Sequence, residues 1–263
     1  MLHRRRSWRQ SPPLSSPGDA AAAALRVTLD ALYGAIVDQE AAWEVPFLTS
    51  DEAVREAMRL SAAATRPVVI ADTQDNPGAG GDSNTMGMVR ALLRNGAQRA
   101  AAGLIWDPAA AAQAHRAGIC ARIDVALGGT SGVPGDGPLC ASFEVVSVTD
   151  GQCRFDGPMM HGMEVDLGPV ACLRIDGVSI AVSSVKSQML DRNLYRVAGI
   201  EPETMGILVN KSSVHFRADF EPIAHAVLVA KAPGPMIADP ADLPWTRLPR
   251  GLRMRPMGPA FEG

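Results

Sequence analysis

Residues 72–85 read Asp72-Thr-Gln-Asp-Asn-Pro-Gly-Ala-Gly-Gly-Asp-Ser-Asn-Thr85, between an apolar run, Pro67-Val-Val-Ile-Ala71, and a helix-like run from about Met86 to Asn95. The order strand, glycine loop, helix is the unit from which parallel sheets are built. The loop carries three carboxylates, three amides, three glycines and three hydroxyls. Glycines let backbone turn sharply and approach a ligand, and the first N–H groups of a helix are unpaired donors with partial positive charge. Such a loop suits an anion or a polar substrate. No Gly-Lys-Ser/Thr follows, and the spacing is not G-x-G-x-x-G, so neither the P-loop nor the dinucleotide fingerprint applies. The simpler alternative is a tight turn whose Asp and Asn residues cap and hydrogen-bond locally.

Downstream, the helix-like run presents Val89, Leu92 and Leu93, with Gly96 placed for a left-handed cap. Gly103–Trp106 reads as a second strand, Asp107-Pro108 as an N-cap and first-turn proline, and Gly118 as that helix's stop. Arg122–Leu127 reads as a third strand, ending in Gly128-Gly129-Thr-Ser-Gly132. Strands separated by short helices suggest a parallel sheet. Beyond it, Leu139–Val148, Gln152–Phe155, Val170–Ile175 and Val178–Ser183 read as strands, with Asp150-Gly151 and Asp176-Gly177 as hairpin turns. Gln188 to Ala198 reads as a helix, and Ile207–Val209 and Ala226–Ala230 as late strands. Upstream, Leu25, Leu29, Leu32 and Ile36 recur at gaps of four, three and four, one face of a helix reaching about Trp43. Thr49-Ser-Asp-Glu52 has the form of a capping box.

The expected fold is therefore α/β, a mixed sheet flanked by helices with a more antiparallel second half. The expected spans are a disordered basic, proline-rich tail at 1–18, a helical lead-in at 19–65 and an α/β domain at 66–263. For the arginine-rich start, a transit peptide or a mis-assigned start codon are the alternatives.

The totals bound the function. The chain has 263 residues, 47% of them hydrophobic and 20% charged, with a net charge of −3, which is enough for a sizeable core and argues against nucleic acid as partner. Cys120, Cys140, Cys153 and Cys172 form no C-x-x-C pair and suit a reducing cytoplasm. No apolar run approaches the roughly 18 residues of a membrane helix.

Polar chemistry gathers at strand ends. In the loop, Asp72, Asp75 and Asp82 could position a water, an amine or a hard cation, and Asn76 could donate to a carbonyl. Lys211-Ser-Ser-Val-His-Phe-Arg217 brings together Lys211, His215 and Arg217, able to bind a carboxylate or phosphate and to move a proton. The alternative is a basic surface turn. Gly128–Gly132 alone reads as a turn, His115 and His225 as structural, and His161 as either. No histidine pair has metal-ligand spacing.

Four segments, Ala71-Asp-Thr-Gln-Asp-Asn-Pro-Gly-Ala-Gly-Gly-Asp-Ser83, Leu127-Gly-Gly129, Asp166-Leu-Gly168 and Lys211-Ser-Ser-Val-His-Phe-Arg-Ala-Asp-Phe220, together resemble the C-terminal domain of the microcystinase C-like (MlrC-like) metallopeptidases. The likeness runs from about Asp19 to Arg250. It implies a zinc-dependent peptidase acting on cyclic or linear peptides, or a related amide hydrolase. It also implies that the zinc ligands lie in a larger N-terminal domain, in D-x-H-type motifs; this sequence has no Asp-x-His, so no metal ligand is assigned. What carries over is Lys211, His215 and Arg217 as catalytic residues. Asp72, Asp75, Asn76, Gly78, Gly80, Gly81, Asp82, Ser83 and Thr85 carry over as substrate-binding. Asn84 and Thr130 depart from the family's usual acidic or hydroxyl residue and lysine. The expectation is a truncated or split metallopeptidase half, with a separately encoded metal-binding domain as a partner. The rivals are a non-catalytic binding or assembly module, and a product without function.

Overall fold

The computed structural model describes residues 19–262; the expected tail at 1–18 lies outside the described residues. Two compact units are present, one of residues 45–243, the other of the described residues before 45 and after 243.

The larger unit is a nine-stranded sheet in the order β1-β11-β2-β10-β3-β9-β8-β5-β4. Its strands are β1 (Phe47–Thr49), β2 (Val68–Asp72), β3 (Ala100–Trp106), β4 (Arg122–Leu127), β5 (Leu139–Thr149), β8 (Val170–Ile175), β9 (Val178–Ser183), β10 (Ile207–Asn210) and β11 (Ala226–Lys231). From β1 to β9 every neighbouring pair is parallel; from β9 to β4 every pair is antiparallel. A second sheet holds β6 (Gln152–Arg154) and β7 (Glu164–Asp166).

Strand periodicity sorts the core into two faces. Val68 and Ile70 of β2 and Val209 of β10 pack with α2 (Ser50–Ser61), α3 (Gly87–Arg94) and α4 (Pro108–Ala117). Val69, Ala71 and Leu208 pack against Phe155, Leu194, Tyr195, Phe216 and Phe220. The last four come from around α5 (Asn193–Arg196) and α6 (Arg217–Phe220). Both faces of the parallel strands are covered, which is why β2 is buried along its whole length. Among the described residues no helix is long and apolar enough to cross a membrane.

Local signals hold where they are strong. The Thr49–Glu52 capping box forms in full, Asp107 caps α4, Gly96 takes a φ of 67°, and Asp176-Gly177 turns β8 into its antiparallel neighbour β9. Four expectations differ. The span read as a helical lead-in contains β1, parallel to β11. The third strand, β4, joins the sheet antiparallel beside β5 at the far edge. Asp150-Gly151 is a turn between sheets, because β5 pairs with β4 and β8 while β6 pairs with β7. The helix read from Gln188 to Ala198 contracts to Asn193–Arg196. There the Asp191 carboxylate accepts the Gly157 and Asn193 backbone N–H groups, and Asp219 accepts that of Arg192. These side-chain bonds hold the segment in turns instead of a helical ladder.

In the smaller unit, α1 (Asp19–Val37) carries Leu25, Leu29, Leu32 and Ile36, each about half exposed. The C-terminal segment is tied back to it through Glu40, which accepts from Arg253 and from the Met257 backbone N–H.

Candidate functional site at the carboxyl edge of the parallel strands

Loops after β2, β3, β9 and β10 meet at one edge of the sheet, where open α/β sheets bind their ligands. Side chains alternate along a strand, so Asn210 faces one layer and Lys211 the other. Lys211 enters the polar loop. Its Nζ donates to Asp72 Oδ2 and Asp75 Oδ2, each at 2.8 Å, and to Thr85 Oγ1 at 3.0 Å. The lysine is 2% exposed and both aspartates are fully buried.

Asp75 is the organising acid. Its Oδ1 accepts the Ser83 N–H at 2.9 Å, and its Oδ2 accepts the N–H and hydroxyl of Thr85 at 2.8 and 2.9 Å. A loop that folds back on one carboxylate in this way has a fixed path. The path demands glycine at position 81, where a Cβ would stand 2.8 Å from the Asn76 nitrogen and 2.9 Å from Asp75 Oδ1. Burial works against the Asp75 charge, but Lys211 and the Thr85 donors outweigh it and hold the carboxyl below its ordinary range. Burial dominates at Asp72 and pushes its carboxyl up, against the pull of Lys211. Burial would discharge Lys211, yet the two carboxylates keep it an ammonium, its pKa raised. Asp72 Oδ1 has no protein hydrogen-bond partner.

The rest of the loop is fastened to its neighbours. Asn76 donates to Ser213 Oγ at 2.9 Å and accepts the Gly78 N–H at 2.9 Å. Asn84 donates to the Trp106 carbonyl and accepts the Thr130 N–H, both at 2.7 Å, so the two glycine loops are joined. Gly129 has a φ of 63°. A Cβ there would lie 2.0 Å from the Gly137 carbonyl carbon, so only glycine fits this close approach. The Gly128-Gly129 turn is thus built into the edge, although its sequence alone suggested a plain turn.

The edge divides the expected site residues into two groups. Asp72, Asp75, Ser83, Thr85 and Lys211 are interior and bonded to one another or to backbone. Gly78, Gly80 and His215 are exposed, and Asp82 is partly exposed. His215 stands 3.4 Å from Gln188 Nε2, which also donates to Ser212. Arg217 is not gathered with Lys211; it pairs with Glu221 one turn along α6. His115 and His161 each bond a backbone carbonyl.

Three contributors were not singled out from sequence. Asp136 accepts the Met86 N–H at the start of α3 and pairs with Arg90. Lys186 pairs with Asp82 and lies 4.3 Å from the centre of the Trp106 ring. Tyr195 donates to the Val209 carbonyl and to Asn210. Their signals are weak in the chain because each partner is remote or a single residue.

Zinc is held by three or four nitrogen, sulfur or oxygen donors. Among the described residues no group of three or more His, Cys, Asp or Glu is placed to hold a metal ion. The two carboxylates that do meet close on an ammonium. This donor set does not fit zinc.

The family described as MlrC C-terminus matches residues 70–247. Microcystinase C of a Sphingomonas species is 29% identical over 167 residues, which are 64% of this chain and 32% of that protein. A crystal structure of a protein provisionally named a metallopeptidase, from Mesorhizobium sp. BNC1, aligns with a TM-score of 0.65 at 24% identity. The alignment covers 73% of this chain and 39% of that one, and at this identity it speaks for the fold. The chain thus spans about a third of the length of Microcystinase C, 32%.

Proposed function

Because the chain belongs to the MlrC C-terminus family, we propose that it serves as the substrate-facing domain of a metallopeptidase-type amide hydrolase. In this reading the metal ligands come from protein outside the matched span, and this chain supplies no metal-bound step. What it supplies is a fixed polar edge. Gly78 to Gly80 are exposed, their N–H groups already bonded within the loop, so they offer carbonyls and a close approach to an extended peptide, which His215 and Gln188 flank and Asp82 rims. Lys211 acts from within as a positioning residue, holding the Asp72–Thr85 loop in one shape. A loop held in one shape in this way presents its exposed polar groups without reorganisation when a substrate binds.

The observation that carries this reading is the buried Lys211–Asp72–Asp75–Thr85 cluster at the carboxyl edge. Buried charge is costly unless fully paired, and a simple turn has no use for it. The same closure on an ammonium favours a second reading, a binding or assembly module without catalysis of its own. Four cysteines, all unpaired, support a reducing compartment such as the cytoplasm for either.

Zinc content and peptide hydrolysis of the purified chain form the test. The expected result is no stoichiometric zinc and no cleavage by the chain alone, with cleavage gained when a family member's metal-bearing region is added. Tight zinc binding with cleavage by the chain alone would overturn the division of labour. Failure of the mixture to cleave any peptide would favour the second reading.

A further inference from the structure

The chain has three lysines, Lys186, Lys211 and Lys231. All three stand at the carboxyl edge: β9 ends at Ser183, β10 at Asn210 and β11 at Lys231. Each meets acid. Lys211 is enclosed by Asp72 and Asp75, with a side chain only 2% exposed. Lys231 is 23% exposed and lies between Asp239 and Asp242. Lys186 differs from both. Its side chain is 41% exposed, its one acidic partner among the described residues, Asp82, is 34% exposed, and its Nζ rests over the Trp106 ring.

Those facts define a cation that can change partners. An ion pair in contact with water is worth little, because solvent screens it and two side chains must be held in place. An aromatic face retains an ammonium whether or not an acid is also present. The Trp106 ring is itself fixed, its Nε1 donating to the Ser184 carbonyl at 3.1 Å and its backbone N–H to the Ser83 carbonyl at 2.9 Å. It therefore offers a rigid apolar wall beside an exchangeable positive charge, at the edge where such folds take ligands.

We propose that Lys186 and Trp106 form a binding site for a carboxylate borne on a flat or apolar group, with Asp82 occupying the ammonium until that ligand displaces it. The site uses residues of this chain alone and does not depend on the peptidase reading. It assigns Asp82 a role opposite to direct substrate binding, since the aspartate competes with the ligand.

Hippurate is a suitable probe, and its neutral amide the control. The readout is the indole N–H signal of Trp106 in nitrogen-15-labelled protein, assigned with Trp106→Phe. Hippurate should shift the signal saturably and hippuramide should not. Asp82→Asn should tighten hippurate binding about fivefold by removing the competitor. Lys186→Gln, alone or combined with Asp82→Asn, should abolish it, while Lys186→Arg should retain it. Unchanged amide dispersion in each variant confirms that the fold is intact. The proposal is overturned if hippurate leaves the signal unmoved, if Lys186→Gln still binds, or if Asp82→Asn binds no better than the natural protein.

Discussion

Lys211 and Lys186 follow neighbouring parts of the same sheet edge and both face aspartates of the same loop, yet they do opposite things. Lys211 makes three hydrogen bonds in a buried interior, where every interaction is strengthened by a low dielectric and every vacancy is costly. Among the described residues Lys186 has one acid, partly exposed, and one half-buried ring. Burial converts the first into scaffold, and exposure leaves the second free to exchange. One loop can therefore be rigid on its inner side and receptive on its outer side.

The largest effect is expected from cutting the inner side. Lys211→Met leaves Asp72 and Asp75 facing each other without a cation, and breaking a buried pair this way costs about 3–5 kcal/mol. Urea denaturation should report a loss of that order. A loss under about 1 kcal/mol, the scale of an exposed pair, would erase the distinction between the two lysines.

The thiols extend the contrast away from the site. Cys153 and Cys172 are buried, Cys120 and Cys140 exposed. Burial raises the Cys172 thiol from 9.0 to about 11. The folded protein then keeps a proton that the unfolded chain releases. Its contribution to stability is whole below pH 9 and is lost as pH climbs through about 11. Cys172→Val should remove about 3 kcal/mol of the alkaline loss, measured as denaturation midpoints across that range. An unchanged slope would show that Cys172 is less enclosed than the interior it lines.

The same division explains what could be read from the chain. The polar loop, α4's Asp107-Pro108 start and the Thr49–Glu52 box were legible because each signal is complete within a few residues. Lys211 was legible because it stands in a long family motif, although its enclosure by Asp72 and Asp75 is a tertiary fact. Asp136 acts on Met86 from 50 residues away, and Lys186 reaches Asp82 across 104. No local pattern encodes such pairs. β1 is three residues long, too short for alternation to show. The expected helix at 188–198 had helical composition, but Asp191 within that span and Asp219, 27 residues on from Arg192, took its first backbone donors.

The smallest effect is the one that tests the outer side. His215 is exposed and makes one long contact, 3.4 Å to Gln188, so His215→Ala removes no buried group and opens no cavity. Surface changes of this kind usually move stability by no more than about 0.5 kcal/mol. Lys186→Ala should behave alike, because the pair it breaks is screened. Thermal melts of both variants should overlay the natural protein, even as Lys211→Met falls well below it. If His215→Ala instead unfolds several degrees early, His215 is holding the Gly78 and Ser212 loops together. The outer side would then be scaffold as well, and the receptive edge would shrink to Lys186 and Trp106.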